Sequence, residues 1–324
     1  SLVYHTDLPV PEIAEDEVLI QVKCAAVCGT DLHIMEWDEW SRNRITPPII
    51  PGHEIAGDIV AVGSKVTDRK VGDRVSCETH IPCGKCYFCK NGMPHLCRDV
   101  KLFGCLPNSG FAEYTKIRSD MTFLLDDDIP YEVAGVHGVE AAEVAGKTVL
   151  VSGCGPIGLT AISACKVFGA KLVIACDLLD QKLEIAREIG ADVTLNSGSC
   201  DLPTEIRALT DGLGADAAID VTGAGAAIAT DIKSVRAAGR VVCVGHPTKP
   251  VTLDLTEDLI FREVQLTGIS GRKIWETWED VAKVMKSPYF KVERVMGQSF
   301  AMKDIDKAVE AIHSGVPGKM ILYP

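Results

Sequence analysis

Positive charge is in short supply in this chain: 33 Lys and Arg stand against 45 Asp and Glu, a formal net charge of −12. That deficit argues against nucleic acid or an anionic membrane surface as a partner. The acidic residues are scattered rather than gathered in a tail, so they read as a solvated surface. Low-complexity tracts are absent, and so is any long apolar run. The longest uncharged stretch, Thr148 to Cys165, is broken by Gly153, Gly155, Pro156 and Gly158. A membrane span needs about 20 mostly apolar residues, so this stretch reads as a buried strand, turn and helix. No signal peptide is legible at Ser1–Val10. The expectation is a cytoplasmic protein with no membrane or nucleic-acid partner.

What is present suits two domains, since 324 residues that are 47% hydrophobic can bury two cores. Thirteen cysteines are many. Four are spaced for metal, a fifth sits in a second candidate site, and others, such as Cys154, Cys165, Cys176 and Cys243, lie in apolar runs where a free thiol packs as a small hydrophobe. A reducing compartment suits that pattern better than a disulfide framework. Up to about Ser119 the chain reads as short strands, Glu17–Lys23, Ile55–Val62, Arg74–Cys77 and Phe111–Ile117, punctuated by glycine and proline. After Gly146 the rhythm changes. Thr148–Ser152, Lys171–Asp177, Ala191–Leu195, Ala217–Val221, Arg240–Gly245 and Val264–Ile269 read as strands. Helical stretches at Gly158–Phe168, Asp180–Ile189 and Ala224–Ala237 separate them. That alternation predicts a doubly wound parallel sheet of six strands. Trp275–Lys286 and Lys303–His313 read as amphipathic helices and Gly318–Tyr323 as a last strand, a tail expected to return to the first domain. The predicted α/β organisation is therefore a first domain over 1–138 and 277–324, and a second over 139–276.

The strongest chemical signal is Cys83, Cys86, Cys89 and Cys97, a CxxCxxCx7C run. Two-residue gaps let a loop fold around one ion with each thiolate about 2.3 Å from it. Iron–sulfur clusters of the bacterial type end in a three-residue gap before proline, whereas here the last gap is seven and Arg98 follows. The pattern predicts a closed, structural zinc. Cys28, His53 and Glu54 form a second, more open candidate, because a catalytic zinc takes three protein ligands and one exchangeable position. Read singly, Cys28 is equally a core thiol and His53 a turn histidine. Thr30 and His33 lie close enough to Cys28 to carry a proton from that site to water. The stretch Gly153-Cys154-Gly155-Pro156-Ile157-Gly158 is a GxGxxG that follows a predicted strand and opens a predicted helix. Asp177 closes the next strand. The glycines admit a pyrophosphate to the helix N-terminus, and the carboxylate accepts from ribose hydroxyls. It would repel a 2′-phosphate, so NAD is expected over NADP.

These residues together resemble the medium-chain zinc-containing dehydrogenases along nearly the whole chain. Gly52-His53-Glu54, the cysteine lobe and the glycine-rich turn are shared with alcohol and polyol members. A narrower similarity, to the threonine-oxidising branch, lies in Cys28–Trp40, Glu78–Cys83 and Gly271–Trp278. The resemblance implies a GroES-like β catalytic domain beside a Rossmann domain. It implies oxidation of the secondary alcohol of L-threonine to 2-amino-3-ketobutyrate by zinc-assisted hydride transfer to NAD. It also implies two zinc ions per subunit, one structural and one catalytic on Cys28, His53 and Glu54, and a homotetramer. Thr30 and His33 match the family's proton relay, His80 a histidine near the small-molecule substrate, and Lys182 a position near the adenosine ribose that usually holds arginine. One departure stands out. Tyr131–Gly135 runs straight into Val136–Glu140, so a stretch that carries a zinc-contacting glutamate in the family has no counterpart; neither Glu132 nor Glu140 is assigned that role. Two rival readings remain: a polyol or 2,3-butanediol dehydrogenase of the same fold, and a non-catalytic NAD-binding regulator.

Overall fold

The structure is a computed structural model that describes residues 3–125 and 143–324. The junction around Gly135, with Glu132 and Glu140, lies outside the described residues. The chain divides into two units. The first is built on β1 (Glu17–Ala26), whose Val18, Ile20 and Val22 point alternately inward and are buried. Antiparallel to it run β2 (Glu54–Val62) and, on the other side, β6 (Tyr114–Arg118). Beyond β2 lie β3 (Arg74–Cys77) and β7 (Thr122–Leu124), and a small ribbon pairs β4 (His80–Ile81) with β5 (Lys101–Leu102). The core beneath this sheet gathers Ile20, Ile55, Ile59, Val75 and Phe103.

The second unit is a six-stranded parallel sheet. In chain order its strands are β8 (Thr148–Ser152), β9 (Leu172–Asp177), β10 (Val193–Asn196), β11 (Ala215–Asp220), β12 (Val235–Cys243) and β13 (Gln265–Gly268), arranged 10-9-8-11-12-13. Central β8 is buried at every position, as a strand covered on both faces must be. Its six strands and the helices Pro156–Val167, Asp180–Ile189 and Gly225–Ser234 fall where periodicity predicts them, within a few residues at their ends. Helix Leu202–Leu209 was not expected. Pro203 lies in its first turn, where no intrahelical N–H is needed, and Asp201 caps that turn by accepting from Thr204 N–H at 3.2 Å.

The chain then closes the first sheet with β14 (Met296–Ala301) and β15 (Lys319–Tyr323), which pairs with the end of β1. The return comes in two steps rather than at 277. Lys273–Trp278 and Met296–Pro324 group with the first unit, and Glu279–Val295 with the second. That intervening piece is tied to the second unit where Ser163 Oγ donates to the Tyr289 carbonyl (3.3 Å) and Arg294 pairs with Glu188. Among the described residues no helix is long and apolar enough to cross a membrane.

One buried carboxyl ties stability of the second unit to pH. Asp231 is fully buried; its Oδ1 accepts from Ser152 Oγ at 2.6 Å, and Oδ2 has no hydrogen-bond partner among the described residues. Burial, with Asp220 nearby as a like charge, pushes its pKa up from 3.8 to about 8. The folded protein thus holds a proton here that the unfolded chain has lost, so this group's contribution to stability falls as pH rises from about 4 to about 8. Asp231→Asn should flatten that fall, so that denaturant midpoints of variant and wild type diverge between about pH 5 and about pH 8. Parallel midpoints across that range would show that Asp231 is ionised in the fold.

Candidate active site

Two donor clusters stand in the first unit. In the loop after β4, the sulfurs of Cys83, Cys86, Cys89 and Cys97 lie within 4.8 Å of one another. The Cys86 sulfur is 3.5 Å from that of Cys89 and 3.9 Å from that of Cys97. Four thiolates about 2.3 Å from a tetrahedral zinc would stand ~3.8 Å apart, so the cage fits that ion. Left-handed turns at Gly84 and Gly92 bend the loop around this point. Backbone N–H groups already face the sulfurs. Those of Cys89 and Arg98 bring the Cys86 pKa down to about 6, and that of Lys85 lowers Cys83. Burial raises Cys89 to about 12.

The second cluster is assembled by strand register. Cys28 follows the end of β1 and His53 precedes β2, where Ala26 opposes Glu54. That pairing brings the ligand atoms of Cys28, His53 and Glu54 within 4.8 Å of one another. Cys28 caps helix Gly29–Glu36, and its own N–H donates to Asp31 Oδ2 at 2.9 Å. Asp31 is fully buried, and its Oδ1 lies 3.4 Å from His53 Nδ1 with no hydrogen bond of good geometry. A carboxylate beside Nδ1 selects the tautomer whose lone pair is on Nε2, the usual arrangement behind a metal-bound histidine. Burial opposes charge on His53, yet Asp31 and then Cys28 overcome it and hold its pKa well above the usual value. Burial likewise opposes a Cys28 thiolate, but Lys319 and His53 bring that thiol below its ordinary range. Lys319 opens β15, and its Nζ stands 2.6 Å from Glu54 Oε2 with both side chains 8% exposed. Packed thiol, imidazole and carboxylate donors with one orienting acid make a set that suits zinc. Gly104, at φ 101°, closes over this site: a Cβ there would come within 2.8 Å of His53 Cβ.

Helix Gly29–Glu36 carries Thr30 and His33 on one face, three residues apart. Thr30 Oγ1 is 4.0 Å from Cys28 Sγ, and His33 Nδ1 is 2.7 Å from Asp38 Oδ2. No Thr30–His33 hydrogen bond is formed. His80 stands on β4 opposite Leu102, and its Nδ1 faces Glu78 and Thr79.

In the second unit the glycine-rich turn joins β8 to helix Pro156–Val167. Gly158 packs so closely on the turn that a Cβ would lie 1.8 Å from the Gly153 carbonyl oxygen. Gly155 caps the helix and Pro156 is its first residue, while Ile157 is 40% exposed above the turn. Asp177 ends β9, where it accepts from Cys154 N–H at 2.8 Å and Leu179 N–H at 3.1 Å. Lys182 sits in the first turn of helix Asp180–Ile189, half-buried. A bare helix N-terminus, a glycine cradle and an acid at the end of the second strand fit a dinucleotide pyrophosphate and ribose.

Asp31, Asp38, Glu78 and Lys319 were missed from sequence. Asp31 had a signal, since it stands three residues after Cys28 at a helix start, where a carboxylate caps; Lys319 had none.

Two family models match the chain. Residues 14–127 match the alcohol dehydrogenase GroES-like domain, and residues 156–287 match the zinc-binding dehydrogenase domain. The chain belongs to the zinc-containing medium-chain dehydrogenases, enzymes that use zinc and a nicotinamide cofactor, with a GroES-like and a Rossmann domain. Among its relatives it is 38% identical to an L-threonine 3-dehydrogenase of Symbiobacterium thermophilum over 98% of this chain and 93% of that protein. It is likewise 38% identical to one from Bacillus subtilis, over 98% and 94%. Galactitol-1-phosphate dehydrogenase from Escherichia coli superposes with a TM-score of 0.89 at 26% identity, over 98% of this chain and 96% of that one. A zinc-binding dehydrogenase from Sinorhizobium meliloti bound to NADP does so at 0.88, with 26% identity over 98% and 94%.

Proposed function

We propose that this chain oxidises the secondary alcohol of L-threonine to 2-amino-3-ketobutyrate, with NAD as acceptor. The observation that carries an alcohol dehydrogenase chemistry is the convergence of half-buried Cys28 and His53 with buried Glu54, beside Thr30 and His33. The substrate rests on similarity to L-threonine 3-dehydrogenases over 98% of the chain. Zinc held by Cys28, His53 and Glu54 supplies a Lewis acid for the substrate hydroxyl, and NAD supplies the hydride acceptor. With zinc bound, Asp31 beside His53 Nδ1 would favour the tautomer that leaves Nε2 for the metal. Thr30 takes the hydroxyl proton and His33, steadied by Asp38, passes it toward water. The four-cysteine cage holds a second, structural zinc, and closed cages of this kind contribute folding free energy.

The units take separate tasks in this reading: the first is the catalytic domain, the second the NAD domain. Asp177, whose Oδ2 is tied to the glycine-rich loop through Cys154 N–H, would favour a free ribose over a 2′-phosphate, and Lys182, in the first turn of the next helix, would lie on the same side. The thirteen cysteines are all free, which suits the cytoplasm. A homotetramer is the assembly we infer. Edge strand β13 is exposed along its length, with Leu266, Ile260 and Phe261 exposed near it, and offers one self-pairing face.

The test is NADH formation by zinc-loaded protein with L-threonine, D-threonine, sorbitol and 2,3-butanediol in parallel. L-Threonine should be preferred, with activity lost on chelation and regained with zinc. Preference for sorbitol or butanediol would move the chain to the polyol branch, and NAD binding without turnover of any alcohol would make it a regulator.

A further inference from the structure

Helix Gly225–Ser234 lays a carboxyl against the end of β8. Asp231 is fully buried on this helix, whose Ile228 and Ile232 belong to the apolar core of the second unit. Among the described residues its Oδ1 meets the Ser152 hydroxyl at 2.6 Å, its Oδ2 meets no hydrogen-bond partner, and no cation pairs with it. Ser152 is the last residue of β8, and the next residue, Gly153, opens the glycine-rich turn. The same hydroxyl is 3.3 Å from Cys176 Sγ on β9, and the Cys176 carbonyl accepts from Gly153 N–H at 2.8 Å. Asp231 thus reaches the foot of the turn through a single hydroxyl.

A second buried carboxyl is treated in the opposite way. Asp220 ends β11 and accepts from Thr222 N–H, Thr222 Oγ1 and Gly223 N–H at 3.2, 2.6 and 3.1 Å. Three donors stabilise it as a carboxylate. The segment it holds packs on the glycine-rich turn, since a Cβ on Gly153 would lie 2.9 Å from Thr222 Cγ2. Two carboxylates in a dry core without a cation are costly, so the one with the single donor, Asp231, keeps its proton. The groups around it do not offset a charge. Cys176 and, from β12, Cys243 are thiols whose pKa burial raises. Helix Leu202–Leu209 turns Leu202 and Ile206 to the core and leaves Glu205 and Arg207 exposed, as Lys233 is on the helix of Asp231 itself. Arg262 donates to the Ile232 and Val235 carbonyls, and Asp254 and Asp258 bond N–H groups of their own turn.

We propose that Asp231 is a positioning residue for the cofactor whose protonation is linked to dinucleotide binding: the pyrophosphate is bound with this carboxyl neutral, and binding draws in a proton wherever the carboxyl has ionised. This rests on the reading of the glycine-rich turn as the dinucleotide site. A carboxylate in the core at the foot of an anion site repels the incoming pyrophosphate through a medium that screens poorly. By linkage the pyrophosphate makes Asp231 harder to ionise by the same factor. Burial, then Asp220, place the carboxyl's pKa at about 8 in the free protein. Affinity is therefore full below that pH and falls as pH rises through it.

The probe is ADP-ribose, which carries the pyrophosphate and both riboses but no nicotinamide, so titrations at the metal site stay out of the result. Its Kd for zinc-loaded wild type should rise on the order of fivefold from about pH 6.5 to about pH 9, and the Asp231→Asn profile should be flat. Ser152→Ala removes the donor that favours the carboxylate, so its falling limb should move to higher pH and its Kd at about pH 9 should be lower than that of wild type. A hydroxyl that merely shaped the turn would weaken binding at every pH when removed. Calorimetry of wild type at about pH 8.5, in two buffers of different ionisation enthalpy, should register proton uptake on binding. Infrared difference spectra should show a protonated carboxyl gained with ADP-ribose in wild type and not in Asp231→Asn. A flat wild-type profile, the same slope in Asp231→Asn, or binding without proton uptake overturns the linkage. No binding of ADP-ribose at any pH overturns the dinucleotide reading of the turn, and the proposal with it.

Discussion

Cys28→Ser should abolish threonine oxidation, by on the order of a thousandfold or more in kcat/KM, while leaving NAD affinity as in wild type. The sulfur is chosen by its surroundings. Burial alone would keep it a thiol, but Lys319 and His53 bring its pKa below the ordinary range, so a thiolate is favoured before any metal arrives. A serine hydroxyl in the same place stays neutral, because the same neighbours cannot bring an alcohol's far higher pKa near neutrality. The donor set then falls from three to two, below what a catalytic zinc takes. NAD affinity is expected to hold because Gly153, Gly155, Gly158 and Asp177 all belong to the other unit. The variant should also fold, since the four-cysteine cage is untouched. Metal analysis should give one zinc per chain in place of two, and a dinucleotide titration should overlay wild type. Full activity of Cys28→Ser in the presence of a chelator would remove the catalytic metal from the account.

Much of this site is legible in sequence because its parts are local. The cysteine cage spans one short loop. GxGxxG is a contiguous turn whose meaning comes from the strand before it and the helix after it. Cys28 and His53 announce themselves through Cys-Gly-Thr-Asp-Leu-His and Gly-His-Glu, although only the β1–β2 register, with Ala26 opposite Glu54, shows that they meet. The parallel sheet is legible for the same reason: most of its strands are short apolar runs between helices of visible period, β8 and β9 above all. What escapes is long-range. Trp278 finds Glu78 across 200 residues, and Lys319 finds Glu54 through a strand that pairs with the end of β1. A single lysine after glycine carries no mark of burial.

Lys319 supplies the other large effect. Lys319→Met should destabilise metal-free protein by about 3–5 kcal/mol, because it leaves the Glu54 carboxylate buried without its counter-charge. Burial would discharge a lysine here, yet Glu54 first, then Cys28 and Asp31, push its pKa above the usual lysine value. The ammonium therefore stays charged, 2.6 Å from Glu54, in a pair with little access to water. Methionine matches the length of the stem and deletes only the charge, so lost packing is a small part of the cost. Two comparisons separate the pair from a general weakness of β15. In Glu54→Gln/Lys319→Met the second change should recover much of what Lys319→Met loses, because a neutral amide no longer needs a cation; the excess over additivity measures the pair. Zinc should also narrow the gap between wild type and Lys319→Met in denaturant unfolding, since a divalent ion at Cys28, His53 and Glu54 restores the missing positive charge. Equal losses for Lys319→Met in metal-free and zinc-loaded protein, and simple additivity in the double variant, would mean that Lys319 supports β15 and nothing more. Coupling that zinc suppresses would mean that the lysine holds the anionic donors together until the metal binds.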